Sequence, residues 1–199
     1  MKEWYNEEWK ETLIVTIHKR GDRDGCENYR GIALGNAAYK ILSNIILGKI
    51  KPYIEKIMGG YQNGFRDGRA VIDNIFALKI INKKIWAYNQ SVQYLFIDFQ
   101  YAYDSIHRDM LWKCSKLINM CKTCVQKTRS LVRIEGTLSS FFENKTGLKQ
   151  GDPLSPILFN LALGKLVQSI KMVPSAIKIV KEQLNVLAYA DDIALIGKN

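Results

Sequence analysis

Two adjacent acidic residues, Asp191 and Asp192, interrupt an apolar stretch that runs from residue 184 to residue 196. Their carboxylates repel each other, and the apolar flanks remove water that would otherwise stabilise both charges. A divalent cation relieves that repulsion, and ligands made only of oxygen favour Mg²⁺ or Mn²⁺. The alternative is structural, because aspartates in hairpin turns often accept hydrogen bonds from their own backbone. That alternative explains one aspartate better than two, so the pair predicts a metal site that needs a third carboxylate.

Asp98 is the first candidate for the third carboxylate, because it directly follows the apolar run 94–97. Asp104 is the second, but Ser105 and Arg108 are close enough in sequence to satisfy it as a helix cap or an ion pair. A carboxylate at a strand end, facing a pair at a hairpin tip, is the arrangement that two-metal phosphoryl transfer needs. The pattern therefore predicts two ions of Mg²⁺ (or Mn²⁺).

The elements that must position these aspartates are a mixture of strands and helices, the α+β class. Strands are expected where short β-branched or apolar runs occur, at 12–17, 94–97, 139–142 and as a hairpin over 184–196 with Asp191-Asp192 at its tip. Helices are expected where apolar residues recur every three to four positions, at 36–57, 70–86, 109–125 and 155–170. We expect the strand 94–97 to be buried. We expect the helix 70–86 to be amphipathic, with an apolar face made of Ile72, Ile75, Phe76, Ile80 and Trp86.

The chain of 199 residues carries a formal charge of +10, from 29 lysines and arginines against 19 aspartates and glutamates. Such an excess indicates a polyanionic partner, and nucleic acid is favoured over an anionic membrane surface. The longest stretch without a charge is 13 residues, 85–97, whereas a membrane span needs about 20. The first ten residues lack the apolar core of a secretory signal. We therefore expect neither a membrane-spanning segment nor secretion.

The cysteines are Cys26, Cys114, Cys121 and Cys124. The last two have the spacing of a zinc knuckle, but a zinc site would need a second close pair, which the sequence lacks. The intervals between the last three place their sulfur atoms on one face of a helix, beside apolar residues. We interpret the cysteines as structural core residues rather than as zinc ligands or disulfides.

The motifs that hold the aspartates resemble the palm motifs of reverse transcriptases. Palm-like motifs occupy 96–108, 147–156 and 188–192, and fingers-like motifs precede them at 19–22, 26–30 and 62–69. Their order is that of the family, and the whole chain resembles the polymerase of a non-LTR (LINE-type) retrotransposon. The resemblance implies a right-hand polymerase fold with a fingers-like region at 1–90. It implies a palm at 91–199, with a small antiparallel sheet backed by helices, and a thumb absent from these residues.

The resemblance also implies roles for individual residues. Asp98, Asp191 and Asp192 would hold the catalytic metals, with the backbone carbonyl of Phe99 as a further ligand. Tyr103 occupies the place of the steric gate that rejects a ribose 2′-hydroxyl, and a bulky ring there fits synthesis of DNA. The remaining nucleotide-binding positions are Gln150 and Gly151, beside the sugar and base of the incoming nucleotide, and the triphosphate-neutralising cations Lys19, Arg30, Arg66 and Arg69.

A basic stripe is predicted between residues 113 and 133, on the helix that carries the cysteines. It holds six positive charges and no negative one: Lys113, Lys116, Lys122, Lys127, Arg129 and Arg133. Such a stripe is able to follow a nucleic-acid backbone, although a simply solvated face is the alternative for any single lysine.

We expect this chain to be the core of an RNA-directed DNA polymerase. Such a core adds dNTPs to a primer 3′-hydroxyl and releases pyrophosphate, with an RNA template and a DNA primer as partners. By analogy with the family, the location is intracellular, in the nucleus, the cytoplasm or both, and the sequence does not indicate an oligomeric state. The alternatives are an inactive retrotransposon relic, a domesticated nucleic-acid-binding module, and a non-catalytic basic protein whose Asp-Asp tip is a structural turn.

Overall fold

The computed structural model describes residues 6–111, 118–170, 177–179 and 182–198 of the chain. The chain forms two compact units, each built from two stretches of sequence. The first unit contains Met1–Tyr53 and Tyr103–Leu158, and the second unit contains Ile54–Ala102 and Phe159–Asn199. The predicted division into 1–90 and 91–199 follows chain order instead, and it stays a prediction.

Strands and helices both occur, which confirms the predicted α+β class. The described strands are β1 Glu11–His18, β2 Tyr29–Gly35, β3 Val92–Ile97, β4 Arg129–Ile134, β5 Thr137–Leu138, β6 Phe142–Glu143, β7 Ile177–Ile179, β8 Glu182–Leu184, β9 Val186–Tyr189 and β10 Asp192–Lys198. The described helices are α1 Ala37–Ile57, α2 Val71–Ala87, α3 Arg108–Leu111, α4 Ile118–Val125 and α5 Ser155–Ile170. Within these residues, no helix is both long enough and apolar enough to cross a lipid bilayer.

The first unit is organised by a five-stranded sheet in the order β2-β1-β4-β5, with β6 also paired to β4. The β-branched run of β1 pairs antiparallel with β2 and parallel with β4, so both of its edges are covered. The strand predicted at 139–142 is wrong, because β5 ends at Leu138 and β6 begins at Phe142. Ser139 instead uses its hydroxyl oxygen to accept a hydrogen bond from the backbone of Val132, and such bonds compete with a regular ladder.

Cys121 and Cys124 are buried in the first unit, with 1% and 2% of their surface exposed, which confirms that they are core residues. Burial raises the pKa of the Cys121 thiol to about 11 and that of the Cys124 thiol to about 12. Cys26 is exposed and is therefore not a core residue. Cys114 lies outside the described residues, as does the middle of the helix predicted at 109–125.

The second unit has a three-stranded antiparallel sheet in the order β3-β10-β9, and a separate antiparallel pair of strands, β7 and β8. One face of α2 packs on this sheet. The core that results consists of Ile81, Ile85, Leu187, Ala194 and Ile196.

Two expectations about burial in the second unit are wrong. Leu95 and Phe96 of β3 are 59% and 70% exposed. These neighbours point to opposite faces of the sheet, and β3 is its outer strand. The expected apolar face of α2 is also exposed, with Ile72 at 61% and Phe76 at 63%. This helix has apolar residues on two faces. The buried face is the one that carries Ile81 and Ile85, about 100° round the helix axis from Ile80.

Candidate active site

The two adjacent aspartates lie where the prediction placed them, at the tip of the β9–β10 hairpin. Strand β9 ends at Tyr189, β10 begins at Asp192, and these two residues pair across the turn. Ala190 and Asp191 form the turn itself, and Ala190 has a positive φ of 56°. That left-handed conformation is uncommon for a residue with a side chain.

Asp98 joins this pair through the register of the sheet. The antiparallel pairing of β3 and β10 matches Ile97 with Ile193, so Asp98 follows and Asp192 precedes the same pair. These two carboxylates therefore emerge at one end of the sheet. This is the juxtaposition that the sequence predicts.

The charges of the other two aspartates act on Asp192. Desolvation of the carboxylate by neighbouring atoms is the largest cause that raises the pKa of Asp192, and the negative charges of Asp191 and Asp98 raise it further. Repulsion of this kind favours either a proton or a cation among the carboxylates.

The chemistry of these donors fits a hard divalent cation. Asp98, Asp191 and Asp192 offer only oxygen atoms, and the charge of a cation would offset the repulsion that raises the pKa of Asp192. Phe99, whose carbonyl is a further predicted ligand, directly follows Asp98 and is half-buried. Within the described residues, however, no group of three His, Cys, Asp or Glu side chains is already gathered closely enough to hold an ion.

Asp104, the alternative third carboxylate, belongs to the first unit and not to the unit that contains the other aspartates. Partial burial raises its pKa, and the positive charge of Lys19 lowers it. Arg108, which the sequence suggested as its partner, instead donates hydrogen bonds to backbone carbonyls, including those of Gly147 at 2.8 Å and Val125 at 2.9 Å. Asp98 is the better candidate because it lies at the same end of the β3–β10 pair as Asp192 and its charge acts on Asp192.

In the first unit, the predicted nucleotide loop at Gln150 and Gly151 is pressed against β2. The backbone carbonyl of Gln150 accepts a hydrogen bond from the N–H of Ala33 at 2.7 Å. Gly151 has a φ of 102°, and a Cβ atom added there would lie 2.9 Å from the carbonyl oxygen of Ala33. Glycine is therefore required at this position, since any side chain would be strained and would push the loop off the strand.

The next residue, Asp152, is a buried anchor of this loop that the sequence reasoning missed. Only 8% of Asp152 is exposed, and its carboxylate accepts hydrogen bonds from the Tyr39 hydroxyl and from the N–H of Leu154. Burial raises its pKa, and the hydrogen bond from Tyr39 is the largest opposing effect. On the other side of Gln150, the Lys149 amine donates to the Thr12 hydroxyl. The only available signal was a set of polar residues in a glycine- and proline-rich loop, which does not identify their partners.

Tyr103, the predicted steric gate, is tied to the segment that leads into this loop. Its backbone carbonyl accepts from the N–H of Leu148 at 2.8 Å, and the N–H of Gly147 donates to Ile106 at 2.9 Å. Gly147 has a φ of 75°, and a Cβ atom there would lie 2.8 Å from the Cα of Asp104. The gate role of Tyr103 stays a prediction.

The four predicted triphosphate-binding cations differ in their surroundings. Lys19 and Arg30 in the first unit and Arg69 in the second are exposed. Arg66 is not free for a ligand, because its side chain is 8% exposed and forms an ion pair with Glu55 at 2.6 Å.

Arg66 also donates to the carbonyls of Gly59 at 2.9 Å and Gln62 at 3.0 Å. The guanidinium thus uses four of its five N–H groups within the protein. This geometry corrects the expectation for Arg66, whose contacts are structural.

The basic stripe expected on one helix is also corrected. Lys113 and Lys116 lie outside the described residues, and Lys122 is on α4. Lys127, with a φ of 52°, lies in the turn after that helix.

The two arginines of the set are on strand β4, so the six residues do not share a helical face. Arg129 forms an ion pair with Glu11 and lies 4.9 Å from the ring centre of Phe141. Arg133 is exposed.

Comparison with known proteins assigns these features to a family. Residues 17–199 match the family described as reverse transcriptase (RNA-dependent DNA polymerase). The chain is 26% identical to the probable RNA-directed DNA polymerase from transposon BS of Drosophila melanogaster, over 98% of this chain and 22% of that protein. It is 25% identical to the Pol polyprotein from the type-1 retrotransposable element R2 of Popillia japonica, over 96% of this chain and 28% of that protein. The chain thus spans about a quarter of the length of these relatives. Because the relatives are polymerases of non-LTR retrotransposons, they confirm the resemblance that the sequence motifs indicate.

Solved structures with a similar fold include telomerase of Candida tropicalis in complex with a TWJ fragment of telomeric RNA. The TM-score is 0.64 at 15% sequence identity, and the match covers 96% of this chain and 36% of that one. Telomerase of Candida albicans, solved with the same kind of RNA fragment, gives a TM-score of 0.60 at 12% identity, over 95% of this chain and 37% of that one. This likeness confirms the predicted right-hand polymerase fold.

Proposed function

The chain belongs to the reverse transcriptase (RNA-dependent DNA polymerase) family, and we propose that it is the fingers–palm core of an RNA-directed DNA polymerase. It would add dNTPs to the 3′-hydroxyl of a DNA primer on an RNA template and release pyrophosphate. One observation carries the proposal: Asp98 and the Asp191-Asp192 pair lie at the same end of a three-stranded sheet, through the register of β3 and β10. The family match across residues 17–199 supports the same assignment.

We propose that Asp98, Asp191 and Asp192, with the carbonyl of Phe99, hold two Mg²⁺ or Mn²⁺ ions. When bound, such ions lower the pKa of an attacking hydroxyl and stabilise the charge on a leaving phosphate oxygen. The carboxylates would bind and orient the ions, and the antiparallel pairing of β3 with β10 keeps Asp98 and Asp192 at the same end of the sheet. The exposure of Asp98 and Asp192 leaves them accessible to substrate phosphates.

For the incoming nucleotide we propose a set of positions without Arg66. Exposed Lys19, Arg30 and Arg69 would neutralise the triphosphate, because cations pair strongly with phosphate oxygens. The contact between Gly151 and Ala33 supports a fixed loop at Gln150-Gly151 for the sugar and base. Tyr103 would exclude the 2′-hydroxyl of ribonucleotides.

Primer extension tests this proposal directly. The chain is incubated with an RNA template, a DNA primer, dNTPs and Mg²⁺ or Mn²⁺, and extended primer is expected. Asp191→Asn should reduce extension by at least about 100-fold, because one metal-binding charge is lost. Asp109→Asn removes a charge of the same type from an exposed position on α3 and should leave extension unchanged.

Two further outcomes discriminate among the readings of the chain. Salt-sensitive RNA binding without any extension would support a nucleic-acid-binding module in place of an enzyme. Equal extension by the wild type and Asp191→Asn would refute the metal-binding assignment.

Tyr103→Val should admit ribonucleotides, and unchanged selectivity for dNTPs would remove Tyr103 from the gate.

A further inference from the structure

Three amide side chains are buried in the second unit, close to the turn that carries the aspartates. Gln62 and Asn160 are each 1% exposed, and Asn63 is 4% exposed. A buried amide is unfavourable unless it forms hydrogen bonds, so each needs specific partners. The Gln62 amide bonds to Ala190 and Gly64. The Nδ2 atom of Asn160 donates to the carbonyl of Gly64, and the Nδ2 atom of Asn63 donates to the Oδ1 atom of Asn74.

Gln62 uses both ends of its amide on the backbone of Ala190. Its Oε1 atom accepts from the N–H of Ala190 at 3.0 Å and from the N–H of Gly64 at 2.7 Å. Its Nε2 atom donates to the carbonyl of Ala190 at 3.0 Å. One side chain therefore satisfies both backbone groups of the residue that immediately precedes Asp191.

Ala190 needs such support because its φ of 56° is unfavourable for alanine. A residue in this region keeps its conformation only when the surrounding structure fixes it. Asp191 follows directly, so the conformation of Ala190 determines the direction in which the carboxylate pair leaves the turn.

Gly64 packs directly against the backbone of Ala190. A Cβ atom at Gly64 would lie 2.1 Å from the backbone nitrogen of Ala190 and 2.9 Å from its Cα. The Nδ2 atom of Asn160 donates to the carbonyl of Gly64 at 3.0 Å, which fixes Gly64 against the turn. The N–H of Asn63 and the Nδ2 of Asn74 both donate to the carbonyl of Ala188, at 2.9 Å and 3.0 Å.

We propose that Gln62 is a positioning residue for the metal-binding carboxylates. It holds Ala190 in the left-handed conformation, against Gly64, so that Asp191 and Asp192 stay at the end of the sheet where Asp98 emerges. This inference rests on the proposed function, because it assigns Gln62 a role in metal binding. It also makes a claim about the turn that is independent of metal.

The test replaces Gln62 by methionine, which has a similar shape and no amide. Two quantities are measured at a temperature at which both proteins are folded: Mn²⁺ affinity by titration calorimetry, and hydrogen exchange at the Ala190 N–H. Removal of a residue that orients metal ligands typically weakens metal affinity by about 10- to 100-fold. A decrease of this size in Mn²⁺ affinity is expected for Gln62→Met. Exchange at Ala190 should become about tenfold faster, because its buried hydrogen bond is removed.

Two more variants separate positioning from general stability. Tyr94→Phe removes the 2.6 Å hydrogen bond from Tyr94 to Asn82 in the same unit and should leave Mn²⁺ affinity unchanged. Ala190→Gly in the Gln62→Met background should restore part of the affinity, since glycine adopts a positive φ without strain. If Gln62→Met does not fold, hydrogen exchange at the Ala190 N–H of the wild type still tests the proposal, because the proposal requires this exchange to be slow.

The possible results are distinguishable. Unchanged Mn²⁺ affinity in Gln62→Met, or rapid exchange at Ala190 in the wild type, overturns the positioning role. If the wild type binds no Mn²⁺, the metal-binding function fails instead. In that case, faster exchange in Gln62→Met would still show that Gln62 holds the turn, but its positioning role in metal binding would be withdrawn.

Discussion

Replacement of Arg108 by methionine should be among the most destabilising single changes in the first unit. Arg108 is 8% exposed, and its guanidinium binds the carbonyls of four residues that belong to two separate segments. The distances are 2.8 Å to Gly147, 2.9 Å to Val125, 2.8 Å to Asn144 and 3.1 Å to Thr146. One side chain thus links the end of α4 to the segment that leads into the Gln150-Gly151 loop.

The magnitude follows from these four bonds. A hydrogen bond that involves a charged group contributes about 1.5–3 kcal/mol, and a buried carbonyl without a partner costs about 1–3 kcal/mol. Part of this is returned, because burial already disfavours the charged guanidinium and lowers the pKa of Arg108. A net loss of about 4 kcal/mol is expected for Arg108→Met. Arg108→Lys keeps the charge but not the planar fork of donors, and about half of that loss is expected.

Urea unfolding monitored by circular dichroism measures these losses, and hydrogen exchange at the N–H groups of Gly147 and Leu148 measures the local effect. Both N–H groups donate to backbone carbonyls of the segment 103–106, so their exchange should accelerate in Arg108→Met. Arg133→Met is the matched control, because Arg133 is exposed, and a change within about 0.5 kcal/mol is expected there. A loss below about 1 kcal/mol in Arg108→Met, with unchanged exchange, would refute the reasoning.

Three other predictions concern side chains whose burial sets their behaviour. Burial lowers the pKa of Lys149 from 10.5 to about 8, so the folded chain releases this proton before the unfolded chain does. Stability should therefore rise between about pH 8 and 10.5, by at most about 3 kcal/mol, and urea unfolding of Lys149→Met should lack this rise. Alkylation at pH 8 followed by peptide mapping should label Cys26 but neither Cys121 nor Cys124, and labelling of the buried pair in the native protein would contradict the burial argument. Arg66→Ala should lower the free energy of unfolding by about 2–4 kcal/mol in the absence of nucleotide, and an unchanged urea midpoint would argue against its structural role.

The sequence predicts the elements of this fold better than it predicts which of their faces are buried. Periodicity locates α2 within a residue or so, but apolar residues lie on two of its faces, and periodicity alone does not choose between them. The packing of Ile81 and Ile85 against β9 and β10 makes the choice. The strand β3 shows the same limit, since an apolar run is typical both of a central strand and of an outer strand that leaves Phe96 exposed.

In the candidate site, the sequence predicts the proposed metal ligands but not the residues that support them. Metal binding restricts residue types strongly, so an Asp-Asp pair and a strand-end aspartate are enough to propose a metal site from a single sequence. The residues that hold those aspartates face no such restriction, because any side chain with one donor and one acceptor at the right distance would satisfy Ala190. Gln62 is separated from Ala190 by 128 positions, and no periodic pattern connects them.

For Arg108 the sequence suggested a partner that the structure does not show. Proximity in sequence indicated Asp104, whereas the hydrogen bonds of Arg108 reach carbonyls up to 39 positions away. Supporting contacts of this kind depend on the folded backbone, so they become visible only once the turn conformation at Ala190 and the loop path at Gly147 are known.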